Sequence, residues 1–104
     1  MILLQPFFSI LFSFLILTPV SFEKGETLFG KYCFQCHQNG NTVLFPEKNL
    51  KKETLDRNGM NSIEAIRYLV KNGKNGMPAF GGKLKEKDIE KIATYLLEEA
   101  QKTF

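Results

Sequence analysis

Cys33-Phe34-Gln35-Cys36-His37 places two thiols and an imidazole within five residues, in a chain that has no other cysteine or histidine. Whatever this chain folds into must be built around that cluster. The cluster lies in the polar part of the sequence. The first twenty-two residues, MILLQPFFSILFSFLILTPVSF, contain no Asp, Glu, Lys or Arg, and all fourteen basic residues follow them. A core helix would show one polar face, whereas this segment is apolar all round. Its position suits a secretory signal over residues 1–21, although it lacks a basic n-region, and cleavage after Ser21 would leave Pro19 at −3. The competing reading is an uncleaved membrane anchor, since the apolar run almost reaches bilayer-spanning length. A cleaved signal is preferred. Residues 22–104 are then one domain delivered across a membrane.

A domain of that size builds a thin core and commonly needs a disulfide, a metal or a cofactor to hold it. Two cysteines allow one disulfide, and a bridge across Cys-x-x-Cys closes too short a loop to brace a fold. Regular structure is helical. Residues 23–36 read as a helix with Leu28, Phe29, Tyr32 and Cys33 on one side. QNGNTVLFPEKN is loop chemistry, and LKKETLDRNG is a short helix stopped by Asn58-Gly59. Asn61 and Glu64 suggest a capping box opening a helix with Ile63, Ile66, Leu69 and Val70 on its apolar face, ending at Gly73. GKNGMPAFGG is too rich in Gly and Pro for regular structure. The last segment carries Ile89, Ile92, Ala93, Leu96, Leu97 and Ala100 on a 3.6-residue stripe. No stretch alternates with period two, so the expected class is all-α.

Three chemistries use Cys-x-x-Cys. A thioredoxin-like dithiol needs a preceding strand and a βαβ context, which an all-α chain does not offer. Structural zinc needs four ligands, and Cys33, Cys36 and His37 exhaust the sulfur and imidazole donors. Cys-x-x-Cys-His is the attachment sequence of c-type haem. The two thiols add to the two vinyl groups and the adjacent imidazole lies under the iron, so a large apolar macrocycle becomes the missing core. Met77 and Met60 are the candidates for the sixth ligand, because Met1 lies in the leader. Met77 is preferred, since its Gly- and Pro-rich loop can bring a thioether to the metal, while Met60 reads as packing near the haem edge. His/Met ligation saturates the iron and raises its potential, which describes an electron carrier and not an enzyme.

MNSIEAIRYLVKNGKNGMPAFGGKL resembles the axial-methionine half of cytochrome c6, and GETLFGKYCFQCHQNGNTVLFPEKNLKKETL resembles the haem-binding half of that family. The likeness spans about residues 23–100. It implies a small class I cytochrome c fold, about four helices wrapped around one covalently bound haem c. Cys33 and Cys36 would hold the haem covalently, with His37 and Met77 as axial iron ligands. It further implies a monomeric shuttle from cytochrome f of the cytochrome b6f complex to photosystem I, in the thylakoid lumen of an algal plastid or a cyanobacterium. Contact with the membrane would come only through those partners. Gly25 and Phe29 would sit where the first helix crosses the last, near Tyr95. Three positions depart from the family: Leu69 replaces a common Gln, Lys83 follows the FGG where many members have Arg, and no Trp lies near the end. The alternative function is a membrane-anchored c-type cytochrome subunit of a respiratory or other redox complex.

The net charge of +3 comes from fourteen basic and eleven acidic residues that are interleaved, which reads as a solvated surface and speaks against nucleic-acid binding. Lys83 is the one charge placed in a docking patch.

Overall fold

Gly25 lets two helices cross at backbone distance. A Cβ there would overlap the Lys91 carbonyl and stand 2.8 Å from Tyr95 Cβ. The crossing pairs α1 (Gly25–Tyr32) with α4 (Glu86–Lys102), the first and last of four α-helices among the described residues. Phe29 and Tyr95 close it with ring centroids 5.5 Å apart and tilted by 54°. The computed structural model describes residues 23–104. The expected leader, residues 1–21, and its boundary with the domain lie outside the described residues. Among the described residues no helix is long and apolar enough to cross a membrane.

Between the crossing helices lie α2 (Lys52–Arg57) and α3 (Ile63–Asn72), with 3₁₀ turns at Gln38–Gly40 and Pro46–Lys48. The core is the meeting of their apolar stripes: Leu28 and Phe29 from α1, Ile66 and Val70 from α3, and Ile89, Ile92, Ala93 and Leu96 from α4. Leu28, Ile89 and Ile92 are almost wholly buried. Each such side chain contributes roughly 1.5–3 kcal/mol by leaving water. The all-α class is as expected, with no strand among the described residues.

Local boundaries differ in two places. The first helix ends at Tyr32 rather than Cys36: the amides of Cys33 and Phe34 both donate to the Phe29 carbonyl at 2.9 Å, and the chain then turns. The cap of α3 is Ser62, not Asn61. Ser62 is extended (φ −156°, ψ 152°) and its hydroxyl accepts from the Ala65 amide at 3.1 Å. Asn61 instead donates its side-chain amide to the Asp56 carboxylate, which draws it away from the helix start. At the other end Gly73 stops α3 with φ +73°, a conformation that favours glycine.

Two ion pairs join α3 to the first turn of α4, with Arg67 and Lys71 reaching Glu86 at 3.5 and 3.0 Å. These contacts hold the Glu86 carboxyl below its usual range, with the Lys71 hydrogen bond as the larger cause. The loop between these helices folds back on α3: the Phe80 amide donates to Val70 O at 2.9 Å and the Gly81 amide to Lys71 O at 3.1 Å. The residues that position the methionine loop are therefore those of α3.

Candidate haem and iron-ligand site

Cys33 and Cys36 lie in the turn that follows α1, the first buried and the second exposed, and they form no disulfide with each other. Amides of Cys36 and His37 both donate to the Cys33 carbonyl, at 3.2 and 3.0 Å, so the motif is wound into one tight turn. Burial, helped by the charge of Cys36, pushes the Cys33 thiol up to about 11. A catalytic redox dithiol needs the reverse, a lowered thiol pKa in a polar setting. The motif also follows a helix and not a strand. Both observations point away from thiol–disulfide exchange.

His37 is held by its Nδ1. That atom lies 3.0 Å from the Asn41 carbonyl and 3.2 Å from Thr42 Oγ1. A carbonyl can only accept, so Nδ1 carries the proton and Nε2 keeps its lone pair for a metal. Burial moves the imidazole pKa down and the Asn41 bond opposes it. Both the tautomer and the neutral state therefore suit a metal ligand.

Met77 stands on a loop with little freedom. Lys74 and Met77 exchange backbone hydrogen bonds at 3.1 and 3.0 Å, Asn75 between them takes φ +55°, and the side chain of Met77 is half-buried against the core. Gly73 allows the tight approach, because a Cβ there would lie 2.7 Å from the Met77 carbonyl oxygen. Met60 is also half-buried against the core, with its amide on Leu55 O at 2.7 Å, directly after α2.

Two contacts bring the thiol–imidazole half and the methionine half together. Tyr32, next to Cys33, meets Phe80 edge to face at 6.1 Å between ring centroids. Leu44 abuts Gly76, where an added Cβ would overlap Leu44 Cδ1. Beside this seam Val43, Leu44 and Phe45 turn apolar side chains outward, 64, 60 and 40% exposed. Two thiols, an imidazole with free Nε2, a thioether on a braced loop and this apolar run make a donor set and lining that fit a covalently held haem. Lys83 lies outside them, its Nζ 5.9 Å from the Phe80 ring centroid.

Sequence reading missed Thr42 and Phe104. Thr42 in a loop of Asn and Gly looks like an ordinary turn residue, and Phe104 carries no periodic signal beyond the α4 stripe. Phe104 acts through contacts distant in sequence, on Gly40 and Phe29. Thr42 bonds to His37 and Lys48, close in sequence but in a geometry that no motif or period marks.

The chain matches, over residues 20–96, the family model described as cytochrome C oxidase, cbb3-type, subunit III. It is 53% identical over 79 residues to cytochrome c6 of Bumilleriopsis filiformis, covering 76% of this chain and 92% of that protein. Among solved structures it resembles cytochrome c6 of the diatom Phaeodactylum tricornutum with a TM-score of 0.72 and 43% identity, covering 74% of this chain and 91% of that one. Cytochrome c6C of Synechococcus sp. PCC 7002 superimposes with a TM-score of 0.76 at 38% identity, covering 79% and 100% of the two chains.

Proposed function

Because this chain belongs to the cytochrome c6 family, class I c-type cytochromes with one covalently bound haem c, we propose that it carries electrons from cytochrome f of the cytochrome b6f complex to photosystem I. It does so as a monomer in the thylakoid lumen of a plastid or cyanobacterium, after residues 1–21 have been removed. Cys33 and Cys36 would hold the haem through two thioether links, and His37 Nε2 and Met77 Sδ would ligate its iron. The haem supplies a one-electron ferric–ferrous couple. The chain's own residues, His37 and Met77, would fill the two ligand positions on the iron, and the exposed seam at Leu44 and Gly76 would face partners.

The observation that supports this reading is a His37 ring whose Nδ1 is already bonded, on a segment that meets the braced Met77 loop through Tyr32 on Phe80 and Leu44 on Gly76. With His37 and Met77 both on the iron, no position would be left for substrate, which is the ligation of an electron carrier rather than of a haem enzyme. Flash-induced oxidation of the reduced holoprotein by photosystem I membranes tests it. Oxidation within a turnover and saturation with protein concentration are expected, and failure to re-reduce the photosystem overturns the partner assignment.

A second reading rests on the family model that matches residues 20–96, described as a subunit of a cbb3-type oxidase. In it, residues 1–22 stay as an anchor and the domain is fixed to a respiratory or other redox complex. The intact mass of the mature holoprotein separates the two: loss of the leader supports the shuttle, and retention supports the anchored subunit.

A further inference from the structure

We propose that Thr42 is a positioning residue for the His37 ligand. Its hydroxyl accepts a share of the Nδ1 proton, locks the ring in the tautomer that frees Nε2, and lowers the reduction potential of the iron. This rests on His37 being an axial ligand.

The direction of each hydrogen bond decides the matter. Thr42 Oγ1 lies 2.8 Å from the Lys48 carbonyl and 3.2 Å from His37 Nδ1. The carbonyl accepts only, so the single hydroxyl proton of Thr42 goes to Lys48. Toward His37 the oxygen is left with lone pairs alone. The Asn41 carbonyl, 3.0 Å from the same nitrogen, makes the same demand. Nδ1–H is thus shared between two acceptors, and no arrangement of protons consistent with these contacts places the lone pair on Nδ1.

Thr42 can hold the ring because it is itself held. Lys48 ends the Pro46–Lys48 turn, whose amide-to-Phe45 bond is 2.8 Å, and the Asn49 side chain closes on Pro46 O at 3.2 Å. On the other side the Val43 amide returns to the Cys36 carbonyl at 3.1 Å. β-Branching restricts the Thr42 rotamer further. The ring is therefore tied to a braced turn and not only to its own loop. Acceptors on the outer nitrogen of a metal-bound imidazole make the inner nitrogen a stronger donor. A stronger donor favours ferric iron, so the Thr42 bond moves the potential down.

The test uses mature holoprotein with Thr42→Val, which keeps the shape and removes the oxygen, and Thr42→Ser, which keeps the oxygen. Readouts are the midpoint potential and, by NMR of the diamagnetic reduced protein, the exchange of the His37 Nδ1 proton with water. Thr42→Val raises the potential and speeds that exchange by roughly fivefold to tenfold, the scale of one lost hydrogen bond, while the low-spin spectrum persists. Thr42→Ser stays with wild type. An unchanged or lower potential in Thr42→Val, or a Thr42→Ser protein that behaves like Thr42→Val, overturns the proposal. If Thr42→Val does not load haem, Thr42→Ala, which also removes the oxygen, takes its place: a raised potential and faster Nδ1 proton exchange support the proposal, and wild-type values overturn it. A His37→Ala protein that keeps its low-spin spectrum shows instead that the ligand assignment is at fault, and Thr42 falls with it.

Discussion

The ring of Phe104 lies directly over Gly40, with its Cγ 2.7 Å from where a Gly40 side chain would begin. Gly40 is buried with φ +78°, donates to the His37 carbonyl at 3.2 Å and accepts from the Leu50 amide at 2.7 Å. Phe104 also packs on Phe29 at 6.2 Å between centroids, so one ring clamps the turn behind the Cys-x-x-Cys-His motif onto α1. Gly40→Ala should cost about 2–4 kcal/mol, from the left-handed backbone and from overlap with the ring. Phe104→Ala should cost about 2 kcal/mol, less than a fully buried Phe because the ring is half-exposed. The double variant should cost less than the sum, since deleting the ring removes the overlap. Urea unfolding of the four proteins measures this, and strict additivity would show that the ring does not press on Gly40.

Haem attachment makes a chemical prediction. Acidified organic solvent should leave the haem on wild-type protein, and Cys33→Ser or Cys36→Ser should each remove one thioether link, visible as a shifted reduced α-band. His37→Ala should lose the low-spin spectrum. Extraction of haem from wild-type protein rules out the covalent link.

Met77→Ala should abolish the iron–sulfur absorption band of the oxidised protein and lower the potential, because a thioether favours ferrous iron. Met60→Leu should leave the band in place and change stability by less than about 1.5 kcal/mol, as a volume-conserving swap at a half-buried position. Loss of the band in Met60→Leu and its survival in Met77→Ala would transfer the ligand to Met60.

Leu69 is half-buried on α3, and a helical step of about 100° sets it across the helix from Arg67 and Lys71, which are committed to Glu86. On that flank Leu69 would face the haem, next to Ile66 and Val70 on the apolar side of α3. A Gln there can aim an amide N–H at the electron-rich macrocycle and favour the reduced state, which Leu cannot do. Leu69→Gln should therefore raise the midpoint potential, by ~40 mV if the hydrogen bond favours the ferrous form by about 1 kcal/mol. Redox titration with the Met ligation checked spectrally decides it, and no change or a fall excludes a haem-facing Leu69.

Lys83 is exposed beside Phe80, and Phe80 in turn packs on Tyr32 next to Cys33. Charge there should steer encounter with a partner at the haem edge. Lys83→Glu should slow electron transfer to photosystem I several-fold at low salt, more than Lys102→Glu on the last turn of α4. Equal slowing at the two lysines would leave Lys83 an ordinary solvated charge.

By itself the sequence determined the all-α class, the α4 stripe, the stops at Asn58-Gly59 and Gly73, and the irregular backbone of the Gly- and Pro-rich methionine loop. These are local properties: helical period, left-handed glycine and motif spacing act over a few residues, and the chain carries them wherever it folds. Only the tertiary structure decided which partner each polar group took. Asn61 and Ser62 are both good caps, and the choice fell to Ser62 because Asp56 from α2 bonds to Asn61. The Thr42 bridge from His37 to Lys48 and the Phe104 ring over Gly40 depend likewise on where the folded chain turns back on itself. A hydrogen bond or ring contact exists only when folding brings both groups within a few ångströms. No composition or period along one strand of sequence encodes that meeting.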